Sequence, residues 1–350
     1  MGIVLQARGD LNAAISSYQQ ALRIKPDLYE TYNNMGNALR DKGDLRAAMT
    51  SFIQALKVRP GYAGAYSNIG RALKNVVFTE PNVAFQELIT SLLDSNNYGT
   101  PIGISKAAIS LLKFDPVIKE LFKKYSSGGA QRLIRELTSS LSGVPLLLKL
   151  MSICPLADLE LEGVLKELRF SLLSSDPAVL NSPEVLRFQS ALALQCFTNE
   201  YVYNQCDKEI KALETLEVTV NEVLLRGEQP TRQSILCLAT HKALNEYEWC
   251  DLLTVTASIE EVFTRQVLEP NQETQMKSGI PVLQEIVNKV SSKVRQMYEA
   301  NPYPRWVSIG CNLYPAPISK ATREIKLKVF DKLVNEINAP YILIAGCGTG

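Results

Sequence analysis

Apolar residues recur at three- and four-residue spacing along most of the chain, the period of helices that bury one side. Val185, Leu186, Phe188, Leu192 and Phe197 form one such series, and Leu213, Leu216, Val220 and Val223 form another. Strand-like alternation is nowhere sustained between residues 75 and 290. Prolines at 81, 101, 116, 155, 177, 183, 230, 270 and 281 cut that stretch into pieces, because a proline ring cannot continue the helical hydrogen-bond ladder. The pattern predicts roughly eight to ten helices there, packed as a bundle or an irregular superhelix. The end of the chain reads differently. Ile325, Val329, Phe330, Leu333, Val334 and Ile337 stripe a helix from about Lys320 to Ile337, and Pro340 to Ala345 is a continuous apolar run. Such a run reads as a strand buried on both faces.

The first 74 residues carry a second pattern, self-similarity at a shift of 34 residues. Gly2, Gly36 and Gly70 align, as do Leu5, Leu39 and Leu73. Gly9-Asp10-Leu11 matches Gly43-Asp44-Leu45, Ala14 matches Ala48, Tyr18 matches Phe52, and Pro26 matches Pro60. Small residues at 36 and 48 let two antiparallel helices approach, while Tyr32, Leu39, Phe52 and Leu56 fill the seam. Gly43-Asp44 turns the chain and Pro60 ends the second helix. This is the tetratricopeptide pattern, whose units stack because none buries its apolar face alone. Met1 falls inside a first helix, so the array starts mid-unit and is expected to continue upstream. The third unit loses the pattern after Leu73, leaving about two and a half units. Asn34 and Asn68 fall at matching points on first helices. They resemble the asparagine ladder of nucleocytoplasmic glycosyltransferase repeats, which implies peptide binding: a side-chain amide can pair with any peptide group. The alternative is that both are solvated helix residues.

Composition narrows the reading. A chain of 350 residues with 46% apolar content supports two or three domains with real cores. Lys plus Arg is 37 and Asp plus Glu is 36, which provides no long-range attraction for nucleic acid or an anionic membrane. No targeting segment or membrane span is evident, so a soluble cytoplasmic protein is expected. The seven cysteines are scattered and odd in number, as expected of reduced thiols. Cys237, His241 and Cys250 form the tightest metal-like grouping, but a fourth ligand and short pairings are missing, so no metal is expected. Gln195 to Tyr201 sets polar groups beside aromatics. Asn199 and Glu200 read as a helix end rather than a ligand contact, and Tyr247 and Trp249 as core aromatics.

The C-terminal edge carries the candidate chemistry. The apolar run at 340–345 leads into Gly346-Cys347-Gly348-Thr349-Gly350. A buried strand ending in alternating glycines begins a doubly wound α/β domain, where absent side chains let a cofactor approach the backbone. Ala345 to Gly350 resembles motif I of class I S-adenosylmethionine-dependent methyltransferases. Ile344 departs from that pattern, standing where the family often has an acid. Tyr298-Glu299-Ala300-Asn301-Pro302-Tyr303-Pro304-Arg305-Trp306 resembles the junction of bacterial tetratricopeptide methyltransferases, and Ala193 to Tyr201 is similar to part of their middle segment.

The resemblance implies repeats over 1–74, an all-helical region over 75–290, and a junction plus the start of a methyltransferase domain over 291–350. It implies a mainly α protein leading into the first elements of a truncated Rossmann-like α/β domain. S-adenosylmethionine would lie on Gly346, Cys347, Gly348, Thr349 and Gly350. Tyr298, Tyr303 and Arg305 would either cover it as a lid or pack the junction. No catalytic base can be named, and the chain as it stands is expected to be inactive. Two alternatives stay open: a repeat scaffold without catalysis, and a dinucleotide-dependent oxidoreductase.

Overall fold

A computed structural model describes residues 1–74, 76–94, 101–126, 134–177, 180–277 and 288–300. The sequence-predicted strand and glycine loop lie outside these residues, as do Tyr303 and Arg305. Every described element is helical.

The repeat array comprises α1 (Gly2–Ala7), α2 (Leu11–Ile24), α3 (Tyr29–Asp41), α4 (Leu45–Val58) and α5 (Ala63–Leu73). The repeat positions do what their chemistry predicts. A Cβ on Gly36 would stand 2.5 Å from the Phe52 ring, and one on Gly2 would stand 2.6 Å from the Tyr18 ring. Ala14 and Ala48 are fully buried. Gly43 turns the chain at φ +92°, an angle that side chains resist. Asp44 then caps α4, its carboxylate accepting from the Ala47 amide at 3.0 Å. The residue before each repeat proline, Lys25 or Arg59, is extended and closes its helix.

After α5 the repeat geometry ends. In place of a turn and a second helix, residues 76–82 run without regular structure, and the Phe78 amide donates to Ser110 Oγ at 2.9 Å. The helices that follow are α6 (Val83–Asp94), α7 (Pro101–Leu112), α8 (Pro116–Ser126), α9 (Ile134–Ser142), α10 (Pro145–Ile153), α11 (Leu159–Leu173), α12 (Pro183–Thr198), α13 (Asp207–Leu225) and α14 (Arg232–Ala239). A continuous helical rod comes next: α15 (Glu260–Phe263), a π-helical turn at Thr264–Leu268, and α16 (Glu269–Lys277). The last described element is α17 (Lys289–Ala300), where the apolar Val294 and Met297 are exposed.

One apolar core runs without a break from Ala48 and Phe52 of the array to Phe188, Leu192 and Cys237 of the middle region. The array therefore rests on the middle region rather than being tethered to it. Leu186, Ala193 and Leu194 of α12 belong to a second core with α13, α14 and the rod. α12 thus sits between two cores, which is why its sequence is apolar nearly all round. The π-helical turn turns Gln266 inward, where Nε2 donates to Ala193 O at 3.3 Å and Ala239 O at 3.1 Å, and Oε1 accepts from the Leu244 amide. Among the described residues no helix is long and apolar enough to cross a membrane.

Candidate peptide-binding face

Helices α1, α3 and α5 present a polar seam. Asn68 Nδ2 on α5 donates to Asn33 Oδ1 on α3 at 2.8 Å, and both residues are buried. Arg71 donates back to Asn68 Oδ1. Asp41 accepts from Arg40 at 3.2 Å and from Gln6 of α1 at 3.3 Å, while Gln6 Oε1 accepts from Tyr18 Oη at 3.1 Å. Hydrogen bonds thus cross from each first helix to the next.

Two groups in the seam are left over. Asn37 Oδ1 and Arg40 Nη1 are buried and have no hydrogen-bond partner among the described residues, a cost that native structures rarely carry without reason. Burial first, and the Arg40 charge second, hold the Arg71 guanidinium below its ordinary value, with Asp41 partly compensating. The desolvated Arg71 cation, one buried nitrogen of the Asp41-paired Arg40 and an unfilled amide oxygen therefore share one face.

Of the asparagines singled out in the sequence, Asn68 lies in this seam with its amide already engaged, and its partner is Asn33 rather than Asn34. Asn34 is half-buried one position along. Sequence reasoning passed over Asn33, Asn37, Arg40 and Arg71. A signal existed, since Asn37 and Arg71 stand one repeat apart and both are polar.

The middle region holds a buried ionic cluster. Arg169 of α11, Glu209 of α13 and His241 after α14 have side chains that are 0%, 2% and 0% exposed. Arg169 Nε donates to Glu209 Oε1 at 2.9 Å, and His241 Nε2 donates to the same oxygen at 3.0 Å. Arg169 also reaches the carbonyls of Tyr203 and Asn204 at 3.4 Å. Burial raises the Glu209 carboxyl, but the His241 hydrogen bond and the Arg169 charge outweigh it, and the group sits below the ordinary carboxylate value. Sealed from solvent, the cluster ties helices together and offers no route for a substrate.

Asn199 caps α12, and the amides of Glu200 and Tyr201 bond back to Phe197 O and Cys196 O at 3.2 and 2.8 Å. This is a Schellman helix end built from left-handed residues that are not glycine, at φ +56° and +54°. Tyr247 and Trp249 stack with centroids 4.6 Å apart. Burial pushes the Cys154, Cys196 and Cys237 thiols up to about 12. His241 Nδ1 lies 2.8 Å from the Cys237 carbonyl oxygen. No group of three or more His, Cys, Asp or Glu side chains among the described residues is placed to hold a metal ion. Tyr298 falls in the last turn of α17, its side chain outside the described residues along with Gly346, Cys347, Gly348, Thr349 and Gly350.

Residues 2–40 and 36–76 match the model of the TPR repeat family, so the array is a tetratricopeptide array by sequence as well as by geometry. No curated protein matches the chain.

Proposed function

We propose that the chain acts as a protein-binding scaffold, its array capturing an extended acidic segment of a partner along α1, α3 and α5. The observation that carries this reading is the unpartnered pair, Asn37 Oδ1 and Arg40 Nη1, beside the Arg71 cation. A carboxylate supplies acceptors for the guanidinium groups and removes the repulsion between them, while a peptide amide N–H satisfies Asn37. Membership of a repeat class that commonly docks partner segments supports the same reading. Asn34 and Asn68 join the binding face only if a peptide displaces Asn33 from the Asn68 amide.

Fluorescence anisotropy with acidic and charge-reversed peptides tests this. Arg40→Ala and Arg71→Ala should each weaken binding of acidic peptides by about tenfold or more, the scale of a charge-assisted contact. Equal binding of basic peptides, or no response to either substitution, removes the proposal.

Methyl transfer is the second reading, favoured by the apolar run at 340–345 opening onto Gly346, Gly348 and Gly350. In it, these glycines admit S-adenosylmethionine to the backbone, and the array selects the protein that is methylated. Calorimetric titration of a chain extended past Gly350 with S-adenosylmethionine tests it, and absence of binding removes this reading.

A further inference from the structure

Away from the repeat face, a cleft of about 730 Å³ opens where α10, α12, α14 and the start of α15 meet. That is the size of a pocket for a small organic molecule. Its accessible apolar lining comes from Pro145, Leu148, Pro183 and Ala257, with Leu186 and Leu194 buried behind it. Its charges are uneven: Lys149, Arg187 and Arg232 against Asp94 and Glu261, three positive and two negative. Lys149 is matched by Asp94 at 2.9 Å. Arg187 and Arg232 have no ion pair within 4.0 Å among the described residues. Arg232 also lines an adjoining hollow of about 330 Å³, so the two spaces share this residue.

We propose that this cleft binds a small phosphate monoester of about nucleotide size. Its phosphate would be taken by Arg187 and Arg232 and its organic body would lie on the apolar wall around Leu148. Planar guanidinium forks match phosphate oxygens and hold them by paired charge-assisted hydrogen bonds. A bare anion would leave the apolar lining uncovered, which is why a larger molecule fits better. The first residues of α10, α12 and α14, namely Pro145, Pro183 and Arg232, are all in the wall.

Isothermal titration calorimetry on the whole chain tests the assignment, with a nucleoside monophosphate, the matching nucleoside and inorganic phosphate as probes. The monophosphate is expected to bind more tightly than either control. Arg187→Gln and Arg232→Gln should each weaken it about tenfold, the worth of one charge-assisted contact. Both side chains are exposed, so the variants should keep the parent melting temperature, and they should still bind acidic peptides at the array. Three results would overturn the proposal: no heat with the monophosphate at millimolar concentration, equal binding of nucleoside or free phosphate, or indifference to both substitutions.

Discussion

The array and the middle region are both helical, yet they are held together in different ways. In the array each helix packs on its chain neighbours, and the same pairing recurs: a glycine under an aromatic ring, at Gly2–Tyr18 and again at Gly36–Phe52. In the middle region the contacts that close the structure join distant parts of the chain. Arg265 reaches Ser152 O across 113 positions, and Gln266 reaches Ala193 O across 73. The array leaves polar groups without a hydrogen-bond partner among the described residues, whereas the middle region seals a charged cluster inside. A repeat can be read unit by unit, while a core built from remote segments shows itself only when folded.

The largest effect should come from breaking the sealed cluster. Glu209→Ala leaves Arg169 buried without its counter-charge, a loss of about 3–5 kcal/mol. It should appear as early unfolding of the middle region in urea. Replacing Arg169 and Glu209 together by apolar residues should recover much of that loss, because no orphan charge remains. The cluster also predicts a pH response. The Glu209 carboxyl is depressed in the folded state, so its contribution is fully present above the unfolded value of about 4.3. It is lost as pH falls through the lower folded value. Acid unfolding followed by circular dichroism should show this step, and Glu209→Gln should flatten it.

A smaller loss is expected in the array. Gly36→Ala drives a methyl into the Phe52 ring, an overpacking cost of about 1–3 kcal/mol. Because array contacts are between neighbours, hydrogen exchange should speed up in α3 and α4 and stay unchanged in α13 and α14. If exchange rises equally in α13 and α14, the contrast between the regions fails, and the continuous core transmits strain across residue 74. The smallest effect belongs to Asp44→Ala. It removes one cap, worth about 1 kcal/mol, and should lower the array's melting point slightly without touching the middle.

Much of the array was legible in advance. Gly36, Ala48, Phe52 and Pro60 recur at a fixed interval, and each has one physical job that its residue type reveals. The helix end at Asn199 was legible for a similar, local reason. The candidate face was less so: the 34-residue interval matched Asn68 with Asn34, but in the fold the Asn68 amide bonds Asn33 across the seam. Arg169 gave a weaker sign, a lone cation among Leu165, Leu168 and Leu172 on the buried side of α11. Nothing in its neighbourhood named Glu209 or His241.

What the sequence determined by itself is therefore what short-range chemistry controls: helices, their caps and turns, and the repeat that stacks them. Tertiary structure alone decided that one core joins array to middle region, that three ionisable side chains close on one another, and that two arginines without an ion pair among the described residues line one cleft. Periodicity records which side of a helix is apolar but not which distant helix will cover it. Burial and electrostatic pairing depend on that choice, and they act over distances in space that the linear order of residues does not measure.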